Sequence, residues 1–110
     1  MSGVPPRRFF MDIRGEHIGD KLEVWFKGEV CAECVPEAEA FLNGNLGGIK
    51  NLVIDFGGVK RLAKEGVMLL LSTKKKLGDV AMSLVNVRED IYDKLEEQGV
   101  TTLIDISKAE

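Results

Sequence analysis

Residues 51–77 read NLVIDFGGVKRLAKEGVMLLLSTKKKL, and this stretch decides the fold. It opens with Leu52, Val53 and Ile54, an unbroken apolar run that predicts a strand covered on both faces. Gly57-Gly58 then predicts a turn, and a short loop leads to a second apolar run, Val67–Leu71. Because this second run is apolar all round and ends in three lysines, it predicts a buried helix with one end in water. A strand, a glycine turn, a loop and a helix in this order predict the core of an α/β domain.

The length and composition bound the class of protein. A chain of 110 residues is sufficient for one domain, and we expect a leader at 1–8, a domain at 9–106 and a tail at 107–110. The apolar fraction of 45% and the charged fraction of 30% are those of an ordinary globular protein. The net charge of −3 comes from interleaved acids and bases, so no basic stripe points to nucleic acid as a partner.

The sequence also predicts a compartment. No segment approaches the roughly 18 apolar residues of a membrane span, and no apolar region follows Arg7 and Arg8 as it would in a secretory signal. Two cysteines without such a signal are typical of a reducing compartment. We therefore expect a cytoplasmic protein.

The segment before the central stretch predicts a hairpin and a helix. Residues 9–14 predict a first strand with Phe9, Met11 and Ile13 on one face, and residues 15–20 predict the turn. In residues 21–27, the alternation places Leu22, Val24 and Phe26 inward, whereas Trp25 points outward and is expected to pack under a loop or helix. A loop at 28–34 then leads to a helix that begins near Pro36 and buries Ala38, Phe41 and Leu42.

The segment after the central stretch predicts a strand, a helix and a strand. Residues 80–85 predict a strand, and Asn86 with Glu89 forms the pattern of a capping box. The helix that follows buries Ile91, Tyr92 and Leu95 and ends near Gly99, and residues 100–106 predict a last strand. Alternating strands and helices predict a mixed, mostly parallel sheet with helices packed on it and the hairpin at one edge.

The order and spacing of these segments resemble the STAS domain, named for sulfate transporters and anti-sigma factor antagonists. The resemblance rests on Asp55–Leu62 with Gly66-Val67, on Phe26–Val30, on Leu84–Val87 and on Leu95–Val100. It spans roughly residues 9–106, and the spacing of the segments carries it, since each is only a few small or apolar residues. It implies the SpoIIAA-like α/β fold and a bacterial regulatory module of signal transduction and transcription, with no catalytic activity.

One position departs from the family pattern. Counting without gaps from Asp55 to Gly66 places Ala63 at the family's aspartate and Lys64 at the serine that phosphorylatable members carry. A phosphate there would lie at a helix N-terminus, where negative charge is favoured, but Lys64 supplies a cation. The resemblance therefore implies a binding role without the phosphoserine switch.

The resemblance also implies the surface that binds a partner, which would be an anti-sigma factor or a sensor kinase. Carried over by position, this surface comprises residues 59–67, before the central helix, and residues 28–34, before the first helix. Met68 would add a soft contact if it is exposed. The partner-binding residues expected on this basis are Val59, Lys60, Leu62, Ala63, Lys64, Glu65, Gly66, Val67, Glu29, Cys31 and Glu33. A homodimer is also compatible with the sequence.

Cys31-Ala32-Glu33-Cys34 is the one motif with chemistry of its own. A Cys-x-x-Cys pair between a strand and a helix is the placement of a thioredoxin-type redox site, so a small thiol–disulfide protein is an alternative function. Ordinary loop thiols and a metal bridge in a dimer with His17 are the other interpretations, and a zinc site needs about four ligands. A self-assembling scaffold is a third possible function.

No other pattern predicts a catalytic, cofactor or metal site. Gly57-Gly58 lacks the further glycine and lysine of nucleotide-binding loops, and Gly44, Gly47 and Gly48 are typical of a helix end. Asp55 ends a strand where α/β folds place ligands, but we interpret its carboxylate as the cap of the following turn. We therefore expect no bound cofactor and no enzyme activity.

Overall fold

A computed structural model describes residues 11–109 of the chain. The leader at 1–8 and Phe9, predicted to begin the first strand, fall outside these described residues. Within them, the strands are β1 (Met11–Ile18), β2 (Lys21–Val30), β3 (Asn51–Leu62), β4 (Ala81–Val87) and β5 (Asp105–Lys108), and the α-helices are α1 (Val35–Asn43), α2 (Lys64–Leu77) and α3 (Glu89–Glu97).

The strands form one sheet in the order β1-β2-β3-β4-β5. β1 pairs with β2 antiparallel, whereas β2 with β3, β3 with β4 and β4 with β5 are parallel. The predicted mixed, mostly parallel α/β fold with a hairpin at one edge is therefore confirmed. Because each parallel crossover is right-handed and moves in the same direction, the three helices lie on one face of the sheet.

The core lies between this face and the helices. Leu22, Leu52 and Met82 are neighbours across β2, β3 and β4, and all three are buried. Further along the same strands the core contains Phe26 and Phe56, whose ring centroids lie 5.7 Å apart. The helices complete the same core with the buried residues Ala38, Leu42, Val67, Leu69, Leu70, Ile91 and Leu95. No helix among residues 11–109 is long and apolar enough to cross a bilayer.

The central strand differs from its prediction in two ways. Leu52, Ile54 and Phe56 are buried, but Val53 and Asp55 are half-buried, so only one face of β3 is covered by helices. Gly57 and Gly58 also do not turn the chain, because β3 continues to Leu62. The register shifts here, since Trp25 pairs with Asp55 whereas Lys27 pairs with Gly58. The glycines thus accommodate a bulge in a continuing strand rather than a turn.

The hairpin strands are longer than predicted. β1 continues through residues 15–18, so the turn shrinks to Gly19-Asp20, where Gly19 has φ of 62°. β2 continues to Val30 instead of ending before Gly28, because Gly28 takes φ of 95° and the ladder to β3 resumes after a register shift. The predicted loop at 28–34 is reduced to a 3₁₀ turn over Ala32–Cys34.

The later segments need three corrections. α2 is not buried all round, because Met68 is 60% exposed while Val67 and Leu69 are buried. The predicted capping box is wrong: the residue that caps α3 is Arg88, and Asn86 lies within β4. The predicted strand at 100–106 is a 3₁₀ turn over Val100–Thr102, followed by β5.

Candidate functional site

The two segments predicted to bind a partner meet at one edge of the sheet. Val30, which ends β2, is the register partner of Leu62, which ends β3. The next residue, Ala63, donates its backbone N–H to the Val30 carbonyl at 2.8 Å. The chain from β2 to α1 and the chain from β3 to α2 therefore lie side by side. This is the carboxyl edge of the parallel strands, where α/β folds commonly bind their ligands.

A groove of about 420 Å³ lies at this edge. One wall comes from the end of β2, a second from the end of β3, and a third from the first turns of α3. The residues that line the groove are Glu29, Val30, Cys31, Lys60, Arg61, Leu62, Ala63, Asp90, Ile91 and Lys94.

The start of α2 forms the rim beside this groove. Ala63 is the N-cap residue, and its carbonyl accepts hydrogen bonds from Gly66 at 2.9 Å and Val67 at 3.2 Å. Ala63 has no side-chain oxygen with which to cap the first N–H groups of the helix. Lys64 is exposed at the first position of α2, and Glu65 is half-buried in the same turn.

Four of the residues predicted to bind a partner lie in the core. Val59, Leu62 and Val67 are buried apolar side chains of the main cluster. Gly66 is buried as well. It packs so closely that a Cβ atom there would lie 2.6 Å from Leu62 Cδ1 and 2.8 Å from Val30 Cγ1. Val59 and Val67 therefore present no side chain to a partner, whereas Leu62 also lines the groove.

The other predicted residues are accessible. Lys60, Lys64 and Glu33 are exposed, and Glu29, Cys31, Ala63 and Glu65 are half-buried. Among residues 11–109, the ion pairs are Lys21–Glu23, Lys76–Glu39 and Arg88–Asp90. None of these pairs involves Lys60, Arg61 or Lys64, so three cations lie close together in sequence at this edge without a carboxylate partner in the described part of the chain.

Two residues of α3 that sequence reasoning missed also line the groove. Lys94 Nζ donates a hydrogen bond to the Leu62 carbonyl at 2.5 Å. Asp90 lines the same groove and pairs with Arg88 at 3.4 Å. Only the packing of α3 against the end of β3 brings these residues to the site, and no sequence spacing signals it.

Asp55 holds the neighbouring strand ends together. Its Oδ1 accepts the Gly57 backbone N–H at 2.7 Å, and its Oδ2 accepts a hydrogen bond from Asn86 Nδ2 at 2.8 Å. The first bond agrees with the interpretation of Asp55 as a local cap. The second links β3 to β4 through Asn86, which has φ of 57°. The arrangement uses both carboxylate oxygens in structural bonds.

The cysteine pair lies where β2 leads into α1. Cys31 Sγ and Cys34 Sγ are 2.9 Å apart, and both thiols are free and half-buried. Cys34 Sγ also donates to the Glu29 carbonyl at 3.4 Å. Burial, followed by the hydrogen bond with Cys31, raises the pKa of the Cys34 thiol to about 11. Of the two, Cys31 lines the groove.

No metal site accompanies the thiols among residues 11–109, where no group of three or more potential ligands is found. His17 lies on β1 and its imidazole donates to Asn45 Oδ1 at 3.2 Å, away from both cysteines in the sequence. The metal bridge between two chains with His17 stays a prediction.

A second concavity, of about 770 Å³, lies on the sheet face opposite the helices. Its lining mixes the acids Asp12, Glu16 and Asp55 with the bases Arg14 and Lys27. Trp25 lies among them and is 37% exposed, which corrects the expectation that a loop or helix covers it. None of the lining residues belongs to the segments predicted to bind a partner, 28–34 and 59–67.

Comparisons with known proteins identify the family. The sequence profile of the STAS domain matches residues 12–110. An anti-sigma factor antagonist from Mycobacterium paratuberculosis has a solved structure with a TM-score of 0.81 at 21% identity, covering 88% of this chain and 85% of that chain. No curated protein sequence matches.

The anti-sigma factor antagonist SpoIIAA has a similar structure. Its unphosphorylated form matches with a TM-score of 0.75 at 17% identity, covering 86% of this chain and 87% of that chain. Its phosphorylated form, described as a Bacillus cell fate determinant, matches with a TM-score of 0.69 at 16% identity, covering 86% and 90%. At such identities these likenesses show a shared fold, and the family follows from the profile match. The chain belongs to the STAS domain family.

Proposed function

We propose that the protein is a non-catalytic regulatory module that binds an anti-sigma factor or a sensor-kinase-like protein through the groove edge. The observation that carries this proposal is the cluster of Lys60, Arg61 and Lys64 beside an open groove, with no carboxylate partner in the described residues. The family supports the kind of role, since the similar structures are those of anti-sigma factor antagonists. Exposed cations favour a partner with a matching acidic surface.

The proposed surface has three parts. Lys60, Arg61 and Lys64 supply positive charge, and Glu29, Glu33 and Glu65 limit which acidic partner fits. Met68, exposed one turn along α2, supplies an adaptable apolar contact. A partner that covers these residues would bury an apolar centre ringed by charges, as protein interfaces commonly do.

We further propose that no phosphoserine switches this surface. SpoIIAA exists in a phosphorylated form, but residues 55–71 of this chain contain no serine, threonine or tyrosine. Thr73, on the next turns of α2, is buried and donates its hydroxyl to the Leu69 carbonyl at 2.8 Å. Regulation would then depend on the amount of protein, on the cysteine pair or on modification of the partner.

A thiol–disulfide enzyme is the less favoured function. Such enzymes use a thiol whose pKa is lowered by a helix N-terminus or a nearby cation. Cys34 lies at the N-cap of α1, yet burial raises the pKa of its thiol. A self-assembling scaffold and a homodimer stay predictions, which light scattering of the purified protein would test.

The test is affinity capture from a native extract with Lys64→Glu beside the wild type, followed by mass-spectrometric identification. Lys64 is the first residue of α2, where glutamate suits the helix dipole, so the variant should fold normally. Lys75→Glu is the matched control, because it makes the same charge change at an exposed residue in the last turn of the same helix.

We expect the wild type and Lys75→Glu to retain an anti-sigma factor or a sensor-kinase-like protein. Lys64→Glu should bind that partner at least about tenfold more weakly, which corresponds to about 1.4 kcal/mol of binding free energy. Equal retention by all three proteins would show that the partner binds elsewhere. If neither an anti-sigma factor nor a sensor-kinase-like protein were enriched, this result would contradict the proposed function itself.

A further inference from the structure

The two thiols at the end of β2 already lie in near contact. Their sulfur atoms are 2.9 Å apart, compared with about 2.05 Å in a disulfide bond. The backbone holds them in place, because the Cys34 N–H donates to the Cys31 carbonyl at 3.0 Å and closes a 3₁₀ turn. Bond formation therefore requires a shift of less than about 1 Å between the sulfurs, with no opening of the fold.

The surroundings give the two thiols different roles. Cys31 lines the groove and is reached from it, whereas Cys34 packs against the core and is the thiol that donates to the Glu29 carbonyl. A reagent that enters the groove thus meets Cys31 first, and Cys34 lies behind it within bonding reach. This is the order of an attacking and a resolving cysteine.

We propose that Cys31 and Cys34 form a reversible disulfide site that is oxidised by low-molecular-weight disulfides of the glutathione class and that alters the groove wall when it closes. The Cys31 thiolate attacks one sulfur of the oxidant, forms a mixed disulfide and releases one thiolate. The Cys34 thiol then loses its proton to water and attacks Cys31 Sγ, which releases the second thiol. The protein gives up two electrons, and the oxidant is reduced to two thiols.

The consequence for the groove follows from one hydrogen bond. Formation of the disulfide removes the S–H that Cys34 donates to the Glu29 carbonyl. Glu29 is the residue at which β2 resumes its pairing with β3 after a register shift. Glu29 and Cys31 both line the groove. Oxidation thus acts on a wall of the proposed docking surface, and this part of the inference rests on the proposed function, whereas the disulfide itself does not.

The first experiment uses the purified full chain without any partner. The protein is incubated with excess oxidised glutathione, quenched in acid and weighed by intact mass spectrometry. We expect the wild type to become lighter by about 2 Da with no glutathione retained, and Cys34→Ser to keep one glutathione on Cys31. A wild type that stays reduced, keeps glutathione or forms covalent dimers would overturn the inference.

A probe of the reduced pair gives an independent check. Phenylarsine oxide carries one trivalent arsenic that two adjacent thiols bridge, so the wild type should retain one equivalent through gel filtration. Cys31→Ser and Cys34→Ser, each with one thiol, should retain at least about tenfold less. Equal retention by a single-cysteine variant would show that the thiols do not act as a pair.

The effect on the groove is read from backbone amide NMR signals of the reduced and oxidised wild type. We expect shifts at Glu29 and at residues 60–63, with Gly78 at the far end of α2 unchanged. Shifts confined to residues 31–34 would overturn the effect on the groove. If the disulfide fails to form while Lys64→Glu still loses the partner, this inference fails and the proposed function stands.

Discussion

Gly66 marks the closest approach between the start of α2 and the strand ends beneath it. A Cβ atom there would lie 2.6 Å from Leu62 Cδ1 and 2.8 Å from Val30 Cγ1, and both side chains are fixed in the core. We expect Gly66→Ala to lower the free energy of unfolding by about 1–2 kcal/mol, since overpacking outweighs the helix propensity of alanine. Urea unfolding should show a lower midpoint with an unchanged slope.

Gly47→Ala is the control for this substitution. Gly47 is exposed, no atom lies within 4 Å of its added Cβ, and its φ is not positive. Its unfolding midpoint should stay within the error of the wild type or rise slightly. A Gly66→Ala protein as stable as Gly47→Ala would show that α2 can move away from Val30 at no cost.

The raised pKa of the Cys34 thiol should appear in the pH dependence of its alkylation. Burial is the largest cause of the rise to about 11 and persists in Cys31→Ser, where Cys34 is the remaining thiol. Only the thiolate reacts with iodoacetamide, so the alkylation rate of this variant should climb about tenfold per pH unit from pH 8 to 10. When the same variant is unfolded in urea, its alkylation rate should stop rising with pH near the usual thiol pKa. A plateau at about pH 9 in the folded protein would refute this prediction.

At the scale of elements, Asp55 and Asn86 connect the ends of β3 and β4 through a side-chain hydrogen bond of 2.8 Å. We expect Asn86→Ala to cost about 1–2 kcal/mol of stability, because it removes the bond and leaves alanine at φ of 57°. Asn86→Gly loses the bond but tolerates this backbone conformation, so it should cost less. Urea unfolding of both variants separates the two contributions, and equal losses would assign the whole effect to the bond.

The start of α2 lacks a side-chain cap because its N-cap residue is Ala63. We expect Ala63→Asp to raise the free energy of unfolding by about 0.5–2 kcal/mol, since a carboxylate there accepts the free N–H groups and suits the helix dipole. Ala63→Asn is the control that caps without charge, and thermal unfolding of the two variants compares them. A decrease in stability for both would show that the half-buried site has no room for a longer side chain.

At the scale of the whole molecule, the helices cover one face of the sheet and leave Trp25 on the other, 37% exposed. Trp25 is the one tryptophan of the chain, so its fluorescence reports on this face alone. We expect ready quenching by acrylamide in the native protein, because Trp25 is 37% exposed. Emission shielded from acrylamide in the native protein would mean that a second copy or another segment covers the face.

The sequence by itself determined the fold class, since the alternation in residues 21–27 and the apolar runs at 52–54 and 67–71 define strands and a helix whose order allows few topologies. It also indicated a cap role for Asp55, because the interaction with Gly57 is local in sequence. It misplaced strand ends at Gly28 and Gly57-Gly58, because glycines that normally end a strand here sit in bulges that neighbouring strands hold in the ladder.

Only the tertiary structure decided which predicted partner-binding residues are accessible. Val59, Leu62 and Val67 lie within three residues of Lys60, Arg61 and Lys64, yet the first three turn into the core and the others turn out to the groove edge. Lys94 reaches the site only because α3 packs beside the end of β3, and Cys31 meets Cys34 because a 3₁₀ turn replaces a loop. The contact of Lys94 depends on long-range packing, which local sequence patterns do not encode.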